Sequence, residues 1–281
     1  MDWFEETLYP GYRQGFLVEK VLCRRTTAHH ELVIFESQGF GRVMTLDGIV
    51  QTTEADEFVY HEMLAHVPIF GHGAVREVLV VGGGDGGMLE EVLKHPVARA
   101  TLVEIDPAVI ELARRYLSSI CGGAFDDPRA EVVVADATRY VAETERRFDV
   151  IIVDSTDPVG PGAALFEAPF YAGCKRCLRP GGVLAAQTGV PFLQPEELTA
   201  TMRHLQALFA DVTAFLAPVP SYVGGFMAFA WASDDPGKRG IDAATLNSRV
   251  ADAKVETRYY TADIHQAAFV LPGYIRALMD E

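Results

Sequence analysis

The most constraining feature of this 281-residue chain is the apolar run Val150-Ile151-Ile152-Val153, with Phe148 before it, followed at once by Asp154-Ser155-Thr156-Asp157-Pro158-Val159-Gly160-Pro161-Gly162. The run lacks polar alternation, which predicts a strand covered on both faces. Such strands belong to open α/β sheets, whose ligands bind beyond the carboxyl ends of the strands. Two carboxylates, Asp154 and Asp157, stand there before a Gly/Pro-rich loop, and no Lys or Arg follows until Lys175. An anionic pocket for a small cation is expected. A single Asp at such a place could simply shape an Asx-turn before Pro158; a pair at a strand end favours function.

The sequence around this strand has the matching rhythm. Val78-Leu79-Val80-Val81, Ala100-Thr101-Leu102-Val103, Glu131-Val132-Val133-Val134 and Gly182-Val183-Leu184-Ala185 read as strands. Helices are predicted from Met88 to Lys94, from Pro107 to Leu117, and up to Arg179-Pro180-Gly181. Such alternation predicts a Rossmann-like, doubly wound α/β sheet. Further on, Phe226 to Trp231 reads as a strand and Ala262 to Met279 as partly helical. The first seventy residues differ. Phe16–Leu22, Glu31–Phe35 and Gly41–Leu46 are short strand candidates, and Asp47-Gly48 is a hairpin signal. A small antiparallel β domain over 1–70, with a linking helix from Glu54 to Pro68, is expected to precede a catalytic domain over 71–281.

Composition excludes several classes. The net charge of −15 would repel nucleic acid. No apolar stretch approaches a membrane span, and the acidic start Met-Asp-Trp-Phe-Glu-Glu is unlike a basic signal peptide, so a cytoplasmic protein is expected. Four cysteines are too few and scattered for a disulfide framework; Cys174 and Cys177 have C-x2-C spacing without a second pair and read as inert buried thiols.

Gly82-Gly83-Gly84-Asp85-Gly86-Gly87 joins the first long strand to its helix, and Glu104 ends the next strand. Glycines there admit a ligand to the helix N-terminus, and an acid at that distance suits ribose hydroxyls. Asp85 disfavours a dinucleotide, because a carboxylate near a pyrophosphate costs roughly 1–4 kcal/mol per charge pair at ~4 Å. A cationic nucleoside without phosphates fits better, with Asp136 near the adenine amine.

In this order the motifs resemble the polyamine aminopropyltransferase family, which includes the spermidine synthases. The likeness runs from Trp3 to about Tyr274, through Gly41–Glu54, Tyr60-His61-Glu62-Met63, Gly82–Gly87, Val103–Asp106, Asp154–Gly162 and Cys174–Gly182. It implies aminopropyl transfer from decarboxylated S-adenosylmethionine, a co-substrate, to putrescine, giving spermidine and 5′-methylthioadenosine, with no tightly bound cofactor and no metal. Carried over residue by residue, it implies Asp154 as general base, with Tyr60 and Tyr222 orienting the amine. Glu104, Asp136, Ala137, Asp85, Gly82, Gly84, Pro161, His30 and Gln51 would hold the nucleoside donor. His61, Asp85, Asp154, Ser155, Thr156, Asp157 and Tyr222 would hold the diamine. His30 stands where relatives often carry Gln. A homodimer or homotetramer is implied as well.

The chemistry is coherent without the family. An amine near pKa ~10 is protonated at neutral pH and needs a base, whereas a sulfonium carbon is already activated because its thioether leaves neutral. Three readings compete: aminopropyl transfer to putrescine or to another amine (cadaverine, agmatine, spermidine), methyl transfer from intact S-adenosylmethionine, and non-catalytic polyamine binding. The donor carboxylate of intact S-adenosylmethionine would face Asp85 and the Asp154 pair, and a binding module needs no base. The loop from Asp157 to Phe166, rich in Gly and Ala, is expected to close over bound ligands.

Overall fold

The computed structural model describes residues 2–280. Five antiparallel strands open the chain: β1 (Asp2–Tyr9), β2 (Tyr12–Thr26), β3 (Glu31–Ser37), β4 (Gly41–Leu46) and β5 (Ile49–Thr53), paired in that order. The Asp47-Gly48 signal is realised as a two-residue hairpin with both residues at positive φ, 52° and 79°, pairing Leu46 with Ile49. Strand β1 has no counterpart in the sequence reading. Its only fully buried residue is an acid, Glu6, while Trp3 is exposed, so hydrophobic alternation is missing. Glu6 Oε1 accepts the Val50 N–H at 2.8 Å, which draws β1 against β5 and curls the sheet.

Helix α1 (Glu57–His72) starts and ends later than the predicted Glu54–Pro68. Asp56 caps no turn of it; its carboxylate instead accepts from Thr53 Oγ1 and the Ser221 N–H, both at 2.6 Å. Every residue from Val59 to His72 is buried. A helix buried on every side sits inside a core, and α1 packs between the small sheet and the large one, against β9 and β10, with His61, Glu62, His66 and His72 as its buried polar residues.

The large sheet contains β6 (Glu77–Gly82), β7 (Arg99–Glu104), β8 (Ala130–Val134), β9 (Phe148–Asp154), β10 (Leu178–Gln187), β11 (Asp211–Ala217) and β12 (Met227–Ser233). Their order is β11-β12-β10-β9-β6-β7-β8, parallel from β10 through β8, with β12 antiparallel to both neighbours. Central β9 has Val150–Val153 at most 1% exposed, as its sequence predicts. Successive residues face opposite layers. Val150 and Ile152 meet α1, α2 (Gly87–Leu93), α3 (Pro107–Tyr116) and α4 (Ser118–Cys121). Ile151 and Val153 meet α5 (Ala137–Glu143), α6 (Ala168–Cys177) and α7 (Pro195–Gln206). Helix α6 stops at Cys177, earlier than expected, because Pro180 cannot continue it and the chain enters β10 through an irregularity at Gly181. Three short helices, α8 (Ala243–Ala253), α9 (Ala262–Ala268) and α10 (Gly273–Met279), close the structure. Among the described residues, no helix is long and apolar enough to cross a membrane.

Candidate active site

The parallel order aligns the carboxyl ends of β6, β7 and β9, so Gly82 pairs with Asp154 and Glu104 lies one strand away. The glycine loop then turns tightly over them. Gly83 has φ +68°, and a Cβ there would fall 2.6 Å from Asp154 Oδ2; one on Gly84 would fall 2.8 Å from Glu104 Oε2. Only glycine lets both carboxylates come so close to the backbone.

A cleft of about 880 Å³ opens at this point. Every sequence-predicted site residue except Asp157 lines it: His30, Gln51, Tyr60, His61, Gly82, Gly84, Asp85, Glu104, Asp136, Ala137, Asp154, Ser155, Thr156, Pro161 and Tyr222. On one side Glu104 is buried, its Oε1 accepts the Asp106 N–H at 2.8 Å, and burial pushes its pKa up to about 7. His30 is held by its Nδ1, 3.1 Å from Asp47 Oδ2. Asp136 spends Oδ1 on capping α5, accepting the Thr138 N–H and hydroxyl at 2.8 and 2.6 Å. Those bonds, Thr138's first, lower its pKa. Its Oδ2 is not used in the cap.

The other side is an acidic knot. Tyr60 donates to Asp154 Oδ1 at 2.8 Å, while Asp154 Oδ2 is buried with no partner among the described residues. Burial raises the Asp154 carboxyl to about 6; His61 and the Tyr60 hydrogen bond hold it down, and Asp85 pushes it up. The Tyr222 hydroxyl donates to the Gln51 carbonyl, and its ring stands edge-on to Tyr60 with centroids 5.7 Å apart. Burial, then the Asp154 charge, lifts both phenols well above their ordinary range, so both remain neutral. His61, which alone would read as a surface residue of a helix, is 3% exposed. Its Nδ1 lies 2.7 Å from Glu57 Oε2 and its Nε2 3.6 Å from Asp85 Oδ2. Burial opposes its charge, but Asp85 and Glu57 override that and raise it to about 10. One ligand atom each of His61, Asp85 and Asp154 lie within 4.8 Å of one another.

Asp157 faces a second lobe of about 460 Å³, which shares Gln51, Tyr60, Ser155, Thr156 and Tyr222 with the first. Burial raises its pKa. Gln194 donates to Asp157 Oδ1 at 2.5 Å and accepts from the Tyr9 hydroxyl at 3.1 Å. Gln187 donates to the Ser155 and Thr156 carbonyls at 3.1 and 3.0 Å. Glu6, Tyr9, Gln187 and Gln194 were not singled out in the sequence. Gln187 could have been, since it ends the strand next to β9; Glu6 and Tyr9 arrive only through tertiary folding of β1. Cys174 and Cys177 are buried away from this site, and burial raises both thiols.

A family model described as spermine/spermidine synthase domain matches residues 57–240, and one described as spermidine synthase tetramerisation domain matches 2–54. The chain belongs to the polyamine aminopropyltransferase family. It is 54% identical to polyamine aminopropyltransferase 1 of Pseudomonas aeruginosa, over 98% of this chain and 96% of the relative. Identity to the polyamine aminopropyltransferase of Pseudomonas syringae pv. tomato is 50%, with the same coverage. Among solved structures, a spermidine synthase in complex with the transition state analogue AdoDATO superposes with a TM-score of 0.94 at 39% identity, covering 99% of this chain and 95% of that one. The spermidine synthase of Thermotoga maritima gives 0.91 at 37% identity, covering 99% and 94%. The resemblance to aminopropyltransferases and the Rossmann-like fold preceded by a small β domain are thus borne out, and the chain is an enzyme of that class.

Proposed function

We propose that this aminopropyltransferase moves the aminopropyl group of decarboxylated S-adenosylmethionine to putrescine, giving spermidine and 5′-methylthioadenosine. The observation that carries this reading is the unpartnered Asp154 Oδ2, next to the Tyr60 bond and between two joined lobes. The larger lobe suits the nucleoside, with Glu104 on the ribose, Asp136 and Ala137 at adenine, and His30, Gln51, Gly82, Gly84 and Pro161 as walls. Asp85 takes the ammonium of the aminopropyl tail. The smaller lobe suits an extended diamine, whose far ammonium meets Asp157 while the near one reaches Asp154, Tyr60 and Tyr222. The AdoDATO complex of the structural relative supports the donor assignment.

In this reaction Asp154 accepts a proton from the near ammonium. The freed nitrogen lone pair then attacks the methylene carbon on sulfur. The carbon–sulfur pair passes to sulfur, which leaves as a neutral thioether, and the new secondary amine keeps the positive charge. A base at about 6 is largely ionised at neutral pH and close enough to it to share a proton with an amine in a dry pocket. No leaving-group acid is needed. With both His61 nitrogens turned to carboxylates, the knot of His61, Asp85 and Asp154 fits ammonium better than a metal, which would need a free imidazole lone pair. The match over 2–54 supports association through the small sheet, where Trp3, Tyr12 and Val21 are exposed.

Incubating purified protein with decarboxylated or intact S-adenosylmethionine and a series of diamines, with products identified by mass, tests this. Methylthioadenosine with putrescine as preferred acceptor is expected; S-adenosylhomocysteine would indicate methyl transfer instead.

A further inference from the structure

Glu57 borders the acidic knot, and the proposed reaction leaves its carboxylate without work. It opens α1, and His61 follows one turn later on the same helix face. The Glu57 side chain is only 13% exposed, and its Oε2 contact with His61 Nδ1, at 2.7 Å, is shorter than the 3.6 Å from His61 Nε2 to Asp85. The imidazole packs against the first turn of α2, where a Cβ on Gly87 would collide with the ring. The same Gly87 offers its N–H to Asp85 Oδ1 at 3.0 Å. Asp85 is therefore gripped at one oxygen by backbone and approached at the other by His61.

Resting on the aminopropyl-transfer reading, we propose that Glu57 is a positioning residue: it keeps His61 charged and aimed at Asp85, which fixes the carboxylate that receives the donor's ammonium. The groups facing His61 are Glu57 from α1, Asp85 from the glycine loop and Asp154 from β9. Glu91 stands further along α2 and its partner Lys94 just past its end, and Cys121, with its thiol raised, is neutral. Three of these carboxylates crowd one imidazole. While His61 is cationic it offsets their mutual repulsion; once neutral, it leaves Asp85 and Asp154 facing each other unscreened. A transfer that needs a free amine gains from alkaline pH, and His61 held charged to about 10 keeps the site assembled there.

The test is the pH profile of kcat/KM for the decarboxylated donor in Glu57→Gln. The amide is isosteric and can still accept from Nδ1–H, so orientation is kept and only charge is lost. The alkaline limb is expected to move down by about one pH unit, since a neighbouring opposite charge shifts a pKa by roughly 1–3. The acid limb, set by Asp154, stays in place. Loss by the same factor at every pH, or an unmoved alkaline limb, would overturn the proposal. A second measurement needs no variant. In the unmodified enzyme the His61 ring nitrogens, assigned against His61→Gln by NMR, should both carry protons at pH 8. A neutral His61 at that pH would overturn the proposal too. Failure of the underlying reading would look different: the unmodified enzyme would then form no methylthioadenosine.

Discussion

Tyr60 donates to Asp154 Oδ1 at 2.8 Å and leaves Oδ2 as a buried acceptor with no donor among the described residues. A buried oxygen without a partner costs on the order of 1–3 kcal/mol, and an incoming ammonium would recover it. Asp154→Asn keeps the shape and turns the acceptor into an amide that takes no proton. A fall in kcat of at least ~10²-fold is expected, the scale of a lost general base, with donor affinity changed far less. In the unmodified enzyme the base must be ionised, so kcat/KM should drop as pH falls through about 6. Near-normal turnover of Asp154→Asn at pH 7 would remove Asp154 from the mechanism.

Asp85 tests donor choice. Its Oδ1 belongs to the Gly87 N–H and its Oδ2 looks toward His61. Asp85→Asn should weaken the decarboxylated donor by roughly 10-fold or more, the size of a lost charged hydrogen bond. It should spare or improve binding of intact S-adenosylmethionine, whose carboxylate no longer meets a like charge. Titration calorimetry with both donors reads the difference. Equal losses would make Asp85 a structural residue of the loop.

Much of this site was legible because its parts sit at strand ends. Asp154, Glu104 and the Gly82–Gly87 loop follow short apolar runs that alternate with helical stretches and so read as buried parallel strands, and ligands meet such sheets at their carboxyl ends. Tyr60, His61 and Tyr222 were different. Nothing local marks them, and they entered through resemblance. What stayed hidden was what long-range packing brings in. Tyr9 reaches Gln194 across 185 positions, and Glu6 reaches Val50 across 44. A strand whose buried residue is Glu6, not a hydrophobe, carries no periodic signal. Glu57 had one signal, its place four residues before a histidine, and that signal is common on helices.

A second titrating cluster lies outside the site. His66 Nδ1 and His95 Nε2 are 2.9 Å apart in the core, and His66 Nε2 lies 3.1 Å from Glu91 Oε2 but out of line for a hydrogen bond. Burial depresses His66 to about 3 and His95 to about 2, below the ordinary 6.5. Depressed folded-state values mean that unfolding takes up protons. The stability they confer is present above pH 6.5 and is lost as pH falls toward 3, at up to about 1.4 kcal/mol per pH unit for each histidine. Urea denaturation between pH 7 and pH 4 should show this slope, and His95→Gln should reduce it by about one proton. An unchanged slope would mean that the pair is already protonated in the fold.

The remaining prediction concerns the segment after Asp157. Gly160–Phe166 forms a 3-10 turn in which only Gly162 is fully buried, and Val159 is 54% exposed. Pro161, Gly162 and Leu165 nevertheless wall the larger cleft. So little burial gives the turn few contacts of its own, and bound ligands would supply more. Hydrogen exchange over 157–166 should therefore slow markedly with methylthioadenosine and putrescine together, and less with either alone. Gly160 adopts φ +56°, which a β-branched residue resists, and a Cβ on Gly162 would fall 2.7 Å from the Asp157 carbonyl. Gly160→Val and Gly162→Val should both lower kcat without unfolding the protein, because either change displaces a turn that walls the larger cleft and follows directly on Asp157. If exchange is already slow in the free enzyme and ligands leave it unchanged, the turn is a fixed wall and the closure idea fails.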